Sequence, residues 1–395
     1  MTAEHNTAHI DKKAVIFGAA ALVIGLVLVG MGMSTGMKGL GESYLYAWVV
    51  LLSMTQGCFS LGMLFHITRG RWGVPLLRIF EAAGGPIAIG FTLVAFLPIA
   101  FVFRDNLYHA WLAPAAGDMV VLRKSTYLNL NFWLVRTIGV QLIFILMAAL
   151  LRNWTLLEEK TGDKKYSDLR NNCASPFFVA YFILMTFLMT DVVMSLDPHW
   201  FSTIFASIFV IANALLAFGF AVVLVLSNRK KDPFKAIAED SLFLRDFGNF
   251  SLMLVMVWTY FTFSQLLIIW SGNLPSLTSY YRARMTGNYG TLGFFQLAFN
   301  FAMPFVALLT VAIKRYPVLI MMVAGFIVVF RLTDLHYVVM PFVRTSLELR
   351  PADFGAVLAL FGLWGLQFGY VFRSANPIVA SHPYQTHIEE APAHA

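Results

Sequence analysis

Residues 202–226 read STIFASIFVIANALLAFGFAVVLVL, twenty-five residues without a charge. As a helix rising ~1.5 Å per residue the run is about 38 Å long, enough to cross a hydrocarbon core of roughly 30 Å. In lipid every backbone N–H and C=O must find its partner inside the protein, which leaves helices or closed barrels, and the run lacks a barrel strand's strict alternation. Nine comparable runs lie at 15–33, 44–67, 79–103, 130–151, 175–196, 247–271, 291–313, 317–340 and 353–372. The fold class is therefore all-α: a polytopic membrane protein of about ten transmembrane helices.

Composition agrees. Of 395 residues 59% are hydrophobic and 12% charged, against about 25% charged in soluble proteins, so there is too little charge to cover a water-soluble globule. The polar stretch ending Asp11-Lys12-Lys13 resembles the start of a signal peptide, but the long apolar core and missing A-x-A-like site favour a retained anchor. Trp133, Trp154, Trp200 and Trp270 fall near expected helix ends, where amphipathic rings suit the interface, whereas Trp48, Trp258 and Trp364 read as packing.

Eighteen of the 28 Lys and Arg lie in loops on the side of the N-terminus and eight in the opposite loops, with Arg136 and Arg331 inside expected helices. By the positive-inside rule both termini face the cytoplasm. The same rule accounts for the net charge of +7 better than nucleic-acid binding does, because the basic residues gather in short loops such as Arg229-Lys230-Lys231. Cys58 and Cys173 form no C-x-x-C pair, haem-attachment motif or iron–sulfur set.

No gap between spans exceeds the 26 residues of 104–129, so function belongs to the bundle or to partner surfaces. The fifth span carries Thr190-Asp191 with Pro198 seven residues after the Asp, and the ninth carries Thr333-Asp334 with Pro341 at the same spacing. These helices are four apart and run the same way, as in a parallel repeat. The expected organisation is 1–40, an N-terminal segment and peripheral helix; 41–200, a four-helix bundle of helices 2–5; 201–345, a second bundle of helices 6–9; and 346–395, a peripheral tenth helix and cytoplasmic tail.

An ionisable group at the centre of a membrane helix costs about 2.5–3.5 kcal/mol on insertion scales, so each needs a reason. Asp191 and Asp334 lie in the outer third, with Asp197, His199, Arg331 and His336 nearby in sequence. Such a collection can pass protons or hold a polar ligand. The alternative pairs Arg331 with Asp334 at i,i+3 and links Asp191 to a neighbouring helix. Asp197-Pro198 also reads as the cap and first turn of the sixth helix, while His199 is either solvent-exposed or placed to accept a quinol proton. On the inner side His66, Arg78 and Glu81 form a surface ion pair or a proton entrance, and Arg136 pairs across the bundle or snorkels. Histidines do not supply two haem ligand pairs, and no metal site or catalytic residue is assigned.

The stretch Ser195-Leu196-Asp197-Pro198-His199-Trp200-Phe201-Ser202-Thr203 after Thr190-Asp191 resembles the signature of the membrane subunits of alternative complex III, of the polysulfide-reductase-type (NrfD-like) superfamily. Leu107-Tyr108-His109, Lys124 to Asn129, Phe132, Arg136, Phe263-Ser264-Gln265, Ile269 to Pro275, Trp72, Arg78 and Glu81 are similar to the second, F-type subunit. The resemblance covers 66–345 and departs after Asn273-Leu274-Pro275, where Ser276-Leu277 stands in place of acidic residues, so a charge-dependent role for that loop does not carry over.

The resemblance implies two bundles and a quinol, menaquinol by expectation, as substrate of the whole complex. It implies no cofactor in this chain, and that the membrane is the bacterial inner (cytoplasmic) one. The partners would be a paralogous membrane subunit, a periplasmic iron–sulfur subunit and a multihaem cytochrome c, the last two carrying the iron–sulfur clusters and haem c. The expected proton path runs over Asp191, Asp334, His336, Arg331, Glu81, His66 and Arg136, with a quinol pocket at Asp197, His199 and Trp200. A scaffold without a proton or quinol role, or an independent secondary transporter, are the alternatives. The orientation predicts that, with Cys58 and Cys173 replaced by Ser, a Cys at position 230 reacts with an impermeant maleimide only after the inner membrane is opened. A Cys at position 276 should react in intact spheroplasts.

Overall fold

A computed structural model describes residues 4–373 and 378, with side chains from Lys12 onward; the remainder of the C-terminal tail lies outside the described residues. Among the described residues nine stretches are long and apolar enough to cross a membrane, and the first, Lys12–Thr68, holds two helices. These are α1 (Glu4–Met31) and α2 (Gly36–Thr68), parted by a 3-10 turn and by Gly36 at φ 70°. The others are α3 (Leu77–Leu107), α4 (Leu130–Thr161), α5 (Lys165–Val192), α6 (Phe205–Ser227), α7 (Ser241–Gly272), α8 (Gly287–Leu309), α9 (Pro317–Val339) and α10 (Pro351–Arg373). Each expected span falls on one of these ten helices, and the chain is a multi-pass, all-helical membrane protein.

Local chemistry sets the helix ends. Asn129 Oδ1 accepts from the Phe132 N–H at 2.9 Å to open α4, and Asp240 does the same for Leu242 at 2.7 Å to open α7. Pro317 occupies the first turn of α9, where its missing N–H costs nothing. Gly162 at φ 68° and Asn273 at φ 44° stop α4 and α7 in the left-handed conformation. The sixth helix begins at Phe205 rather than at Pro198, so Asp197 does not cap it. Asp197 Oδ1 instead accepts from the His199 N–H at 3.1 Å in a local turn.

Packing runs α2 to α3, α3 to α4, α4 to α5 and α5 back to α2, and then α6 to α7, α7 to α8, α8 to α9 and α9 back to α6. The two rings meet chiefly along α2 and α6, the most enclosed helices. Close approach there depends on Gly57: a Cβ at that position would lie 2.0 Å from the Asn213 carbonyl oxygen. Two π turns interrupt the bundles. At Pro98 and Ile99–Phe103 in α3, Trp48 Nε1 donates to the Thr92 carbonyl at 2.9 Å and Tyr44 Oη to that of Ala95 at 2.8 Å. At Leu297–Ala302 in α8 the turn accompanies the buried Asn300.

Trp133 and Trp200 depart from the interfacial role read from their positions. Both are buried, Trp133 among Phe96, Tyr108 and Trp111 and Trp200 against Tyr280, because the short segments 104–123 and 275–285 fold over one end of the bundles, the outer end in the orientation expected from sequence. Trp270 is exposed, as expected, and Trp48, Trp258 and Trp364 are packed inside.

α1 lies against α10 through facing small residues. A Cβ on Gly25 would come within 2.4 Å of the Ala359 nitrogen, whereas one on Gly30 meets nothing within 4 Å. Gly25→Val is therefore expected to destabilise the chain in detergent by about 1–3 kcal/mol by forcing the helices apart, with Gly30→Val close to neutral. Denaturant titration of the two variants compares them directly.

Candidate functional site

The two aspartates of the Thr-Asp echo have different surroundings. Asp191, fully buried at the outer end of α5, receives both arms of Arg136 from α4: Nε to Oδ2 at 2.7 Å and Nη2 to Oδ1 at 2.6 Å. The guanidinium lies 3.6 Å from the Tyr127 ring centre and 4.2 Å from that of Phe132. Trp133 Nε1 donates to the Asp191 carbonyl at 2.7 Å, and Tyr108 Oη to that of Val192 at 2.8 Å. Between the two openings left by the residue pattern, Arg136 pairs across the bundle and does not snorkel.

Asp334 is held by one contact, Arg331 Nη1 to Oδ2 at 3.3 Å, the i,i+3 pairing read from the sequence. This is an ion-pair contact, and no described residue gives the Asp334 carboxylate a hydrogen bond. Arg331 turns its Nε to Asn300 Oδ1 at 2.8 Å and lies 3.9 Å from the Trp258 ring centre, leaving Nη1 and Nη2 without hydrogen-bond partners. Asn300 donates to Gln296, and Gln296 Nε2 donates to Thr333 Oγ1 at 3.2 Å. Asp334 borders a cavity of about 650 Å³ between α7, α8 and the short helix Pro275–Met285. Gly290 and Gly293 are among its lining residues, and a Cβ on either would meet Met285 or Tyr337 within 3 Å. Above it, the buried Arg284 donates from Nη2 to the Val338 carbonyl at 2.5 Å, and its Nε has no partner. Burial pulls the Arg284 guanidinium below its ordinary value.

The single outer collection expected from sequence is thus divided. His336 is buried edge-on to Tyr46 of α2, 5.2 Å between ring centres, and neither ring nitrogen has a hydrogen-bond partner. His199 is exposed, its Nε2 2.8 Å from Asp118 Oδ2, and Asp197 lies beside it at the surface. The Val121 N–H and His199 hold the Asp118 carboxyl below the usual carboxylate range. Lys124 Nζ donates to the Pro198 carbonyl at 2.5 Å. Trp200, only 1% exposed and stacked on Tyr280 at 4.4 Å, turns its ring into protein, so the trio Asp197, His199 and Trp200 is not assembled around a shared ligand.

On the inner side Arg78 bonds Glu81 at 2.6 Å and also pairs with Glu159 of α4. His66 and Glu81 line a cavity of about 30 Å³ with Arg152, room for a bound water. Outward from it, Phe59, Phe144 and Tyr181 pack ring against ring at 5.4–6.1 Å. Beyond the rings come Gln56 and Ser53 of α2 and Gln141 and Thr137 of α4, all buried, with side chains that lack partners. Thr137 follows Arg136 in α4, and Arg136 holds Asp191.

One cluster had no clear signal in the sequence because its members lie at helix ends or in a loop. Arg344 donates to Glu42 at 2.9 Å and to both Asp353 oxygens at 2.8 Å, while Ser43 Oγ donates to Asp353 at 2.6 Å. Burial alone would lower the Arg344 value, but these hydrogen bonds outweigh it and push it up. The cluster ties the outer ends of α2 and α10 to the segment after α9. Among the described residues no group of three or more His, Cys, Asp or Glu is placed to hold a metal ion.

Comparison with family models and with curated proteins finds no match for this chain.

Removing one half of a buried ion pair strands the other charge. Arg136→Met is expected to destabilise the chain by about 3–5 kcal/mol, and adding Asp191→Leu should restore most of the loss. Unfolding in a denaturing-detergent titration reads both.

Proposed function

We propose that the chain is an integral membrane subunit of a quinol-oxidising electron-transport complex of the alternative complex III type, contributing a proton path while partner subunits carry the electrons. The observation that carries this reading is the line of buried, unpartnered polar side chains in the first ring of helices. Ser53, Gln56, Thr137 and Gln141 lie between Asp191 on the outer side and the His66–Glu81–Arg152 cavity on the inner side. A buried polar group without a partner costs on the order of 1–3 kcal/mol, and bound water is the ordinary remedy. Four such side chains in one bundle favour a short chain of waters between helices.

The rings of Phe59, Phe144 and Tyr181 interrupt that line. Two wetted halves separated by an aromatic plug suit a coupled path, because a continuous column would leak protons. In this reading Glu81 and His66 take protons from the cytoplasmic side, and Asp191, Asp334 and His336 serve the outer half. Arg136 and Arg331 hold the two carboxylates. The membrane is the bacterial inner membrane with both termini cytoplasmic. The partners are a paralogous membrane subunit, a periplasmic iron–sulfur subunit and a multihaem cytochrome c, and these bear the haem and clusters. The resemblance of 66–345 supports the assignment to that complex.

A scaffold role is the second reading, and the two-armed Arg136–Asp191 link favours it, since a carboxylate clamped in this way is a strong interhelical tie. The complex carrying Asp191→Asn with Asp334→Asn, reconstituted into vesicles, separates the two. The proton-path reading expects assembled complex with coupled quinol turnover lowered about tenfold or more. Normal turnover and proton release per assembled complex, with a reduced yield of complex, would instead establish the scaffold.

A further inference from the structure

The cavity beside Asp334 is unlike the rest of the interior. At about 650 Å³ it is within the range of roughly 300–1,000 Å³ typical of small-molecule sites. Its sides reach the lipid-facing surface between α7 and α8, where Phe263, Phe294 and Leu297 are all more than half exposed. Its lining also carries polar groups: the Asp334 carboxylate, held only by Arg331 at 3.3 Å, and the unpartnered Thr262 Oγ1 and Arg284 Nε. A second hollow of about 490 Å³ continues towards the outer end of α7, sharing Tyr281, Leu266 and Met285 with the first.

An apolar route from the bilayer that ends on a carboxylate selects its occupant. A phospholipid acyl chain fits the walls but leaves Asp334 without a donor. A hydrated ion would have to shed its water while passing phenylalanine rings. The fitting chemistry is a lipid-soluble ring bearing hydroxyl groups: one O–H donates to the Asp334 carboxylate, the ring lies among Trp258 and Phe294, and an apolar tail leaves between the helices. We infer that the α7–α8 cavity is a lateral binding site for a prenylated hydroquinone, reached from the bilayer, with Asp334 accepting its hydroxyl. This site is separate from Asp197, His199 and Trp200, and it deepens the quinol-linked reading above, on which the choice of hydroquinone rests.

The test is photolabelling of the full chain in lipid nanodiscs, under reducing conditions, with a naphthohydroquinone carrying a diazirine in a short prenyl tail, and crosslinks mapped by mass spectrometry. Labels are expected on 258–266 and 290–301, competed by unlabelled hydroquinone and at least tenfold weaker for the hydroquinone dimethyl ether, which keeps the shape but cannot donate. Leu297→Trp, which fills the mouth from an exposed position, should lower labelling about tenfold, and Val306→Trp, exposed on the same helix outside the cavity lining, should not. Equal labelling by the ether, no effect of Leu297→Trp, or the same peptides labelled equally by a diazirine phospholipid would overturn the proposal. The assay needs no partner subunit, so labelling survives if the respiratory-complex reading fails, and its loss leaves that reading standing.

Discussion

Hydrocarbon offers no hydrogen bonds, and each polar group this chain carries into the membrane must therefore find its partner in another part of the same molecule. The rule produces ten helices from the apolar runs, and it also explains where they are joined. At the α3 kink, aromatic donors from α2 reach carbonyls near Pro98. At the outer ends of α2 and α10, Arg344 gathers Glu42, Ser43 and Asp353 into one network. At α4 and α5 a single guanidinium satisfies a buried carboxylate with both arms.

The same constraint makes exceptions informative. Asp191 and Asp334 occupy matching places in the two rings, but the first is sealed by Arg136, Trp133 and Tyr108, while the second has one arginine at 3.3 Å and open space beside it. Arg331 is as buried as Arg136 is shielded, although much of its hydrogen-bonding capacity is unused. If the two rings descend from one duplicated unit, one copy became a rigid tie and the other kept a polar centre accessible from lipid. The π turn in α8 contains Asn300, whose side chain accepts from Arg331 Nε at 2.8 Å.

Residue spacing already contained the Arg331–Asp334 pair, the Arg78–Glu81 pair and the choice between a cross-bundle and a snorkelling Arg136. These are local relations, or relations with few solutions, and the i,i+3 rule serves them well. It could not divide His199 from His336, which are similar in any count of depth, but His199 lies in an exposed turn before the sixth helix while His336 is buried on α9. Trp200 shows the same limit from the other side: its position near a helix end suggested the interface, but the segment 275–285 folds back and Tyr280 covers the ring.

By itself the amino-acid sequence determined the number and approximate places of the membrane helices, because length and apolarity against a bilayer of fixed thickness leave few alternatives. It determined equally that a small set of ionisable residues lies within the membrane helices, each needing a reason to be there. Only the tertiary structure decided which partners they take, and where space is left over. Those outcomes depend on helix rotation, on close approaches at glycines such as Gly57, and on loops folding across the bundle ends, none of which is encoded in a local pattern. The cavity beside Asp334 is the clearest case, since its lining is drawn from four separate stretches of the chain, 258–266, 281–285, 290–301 and 334–337.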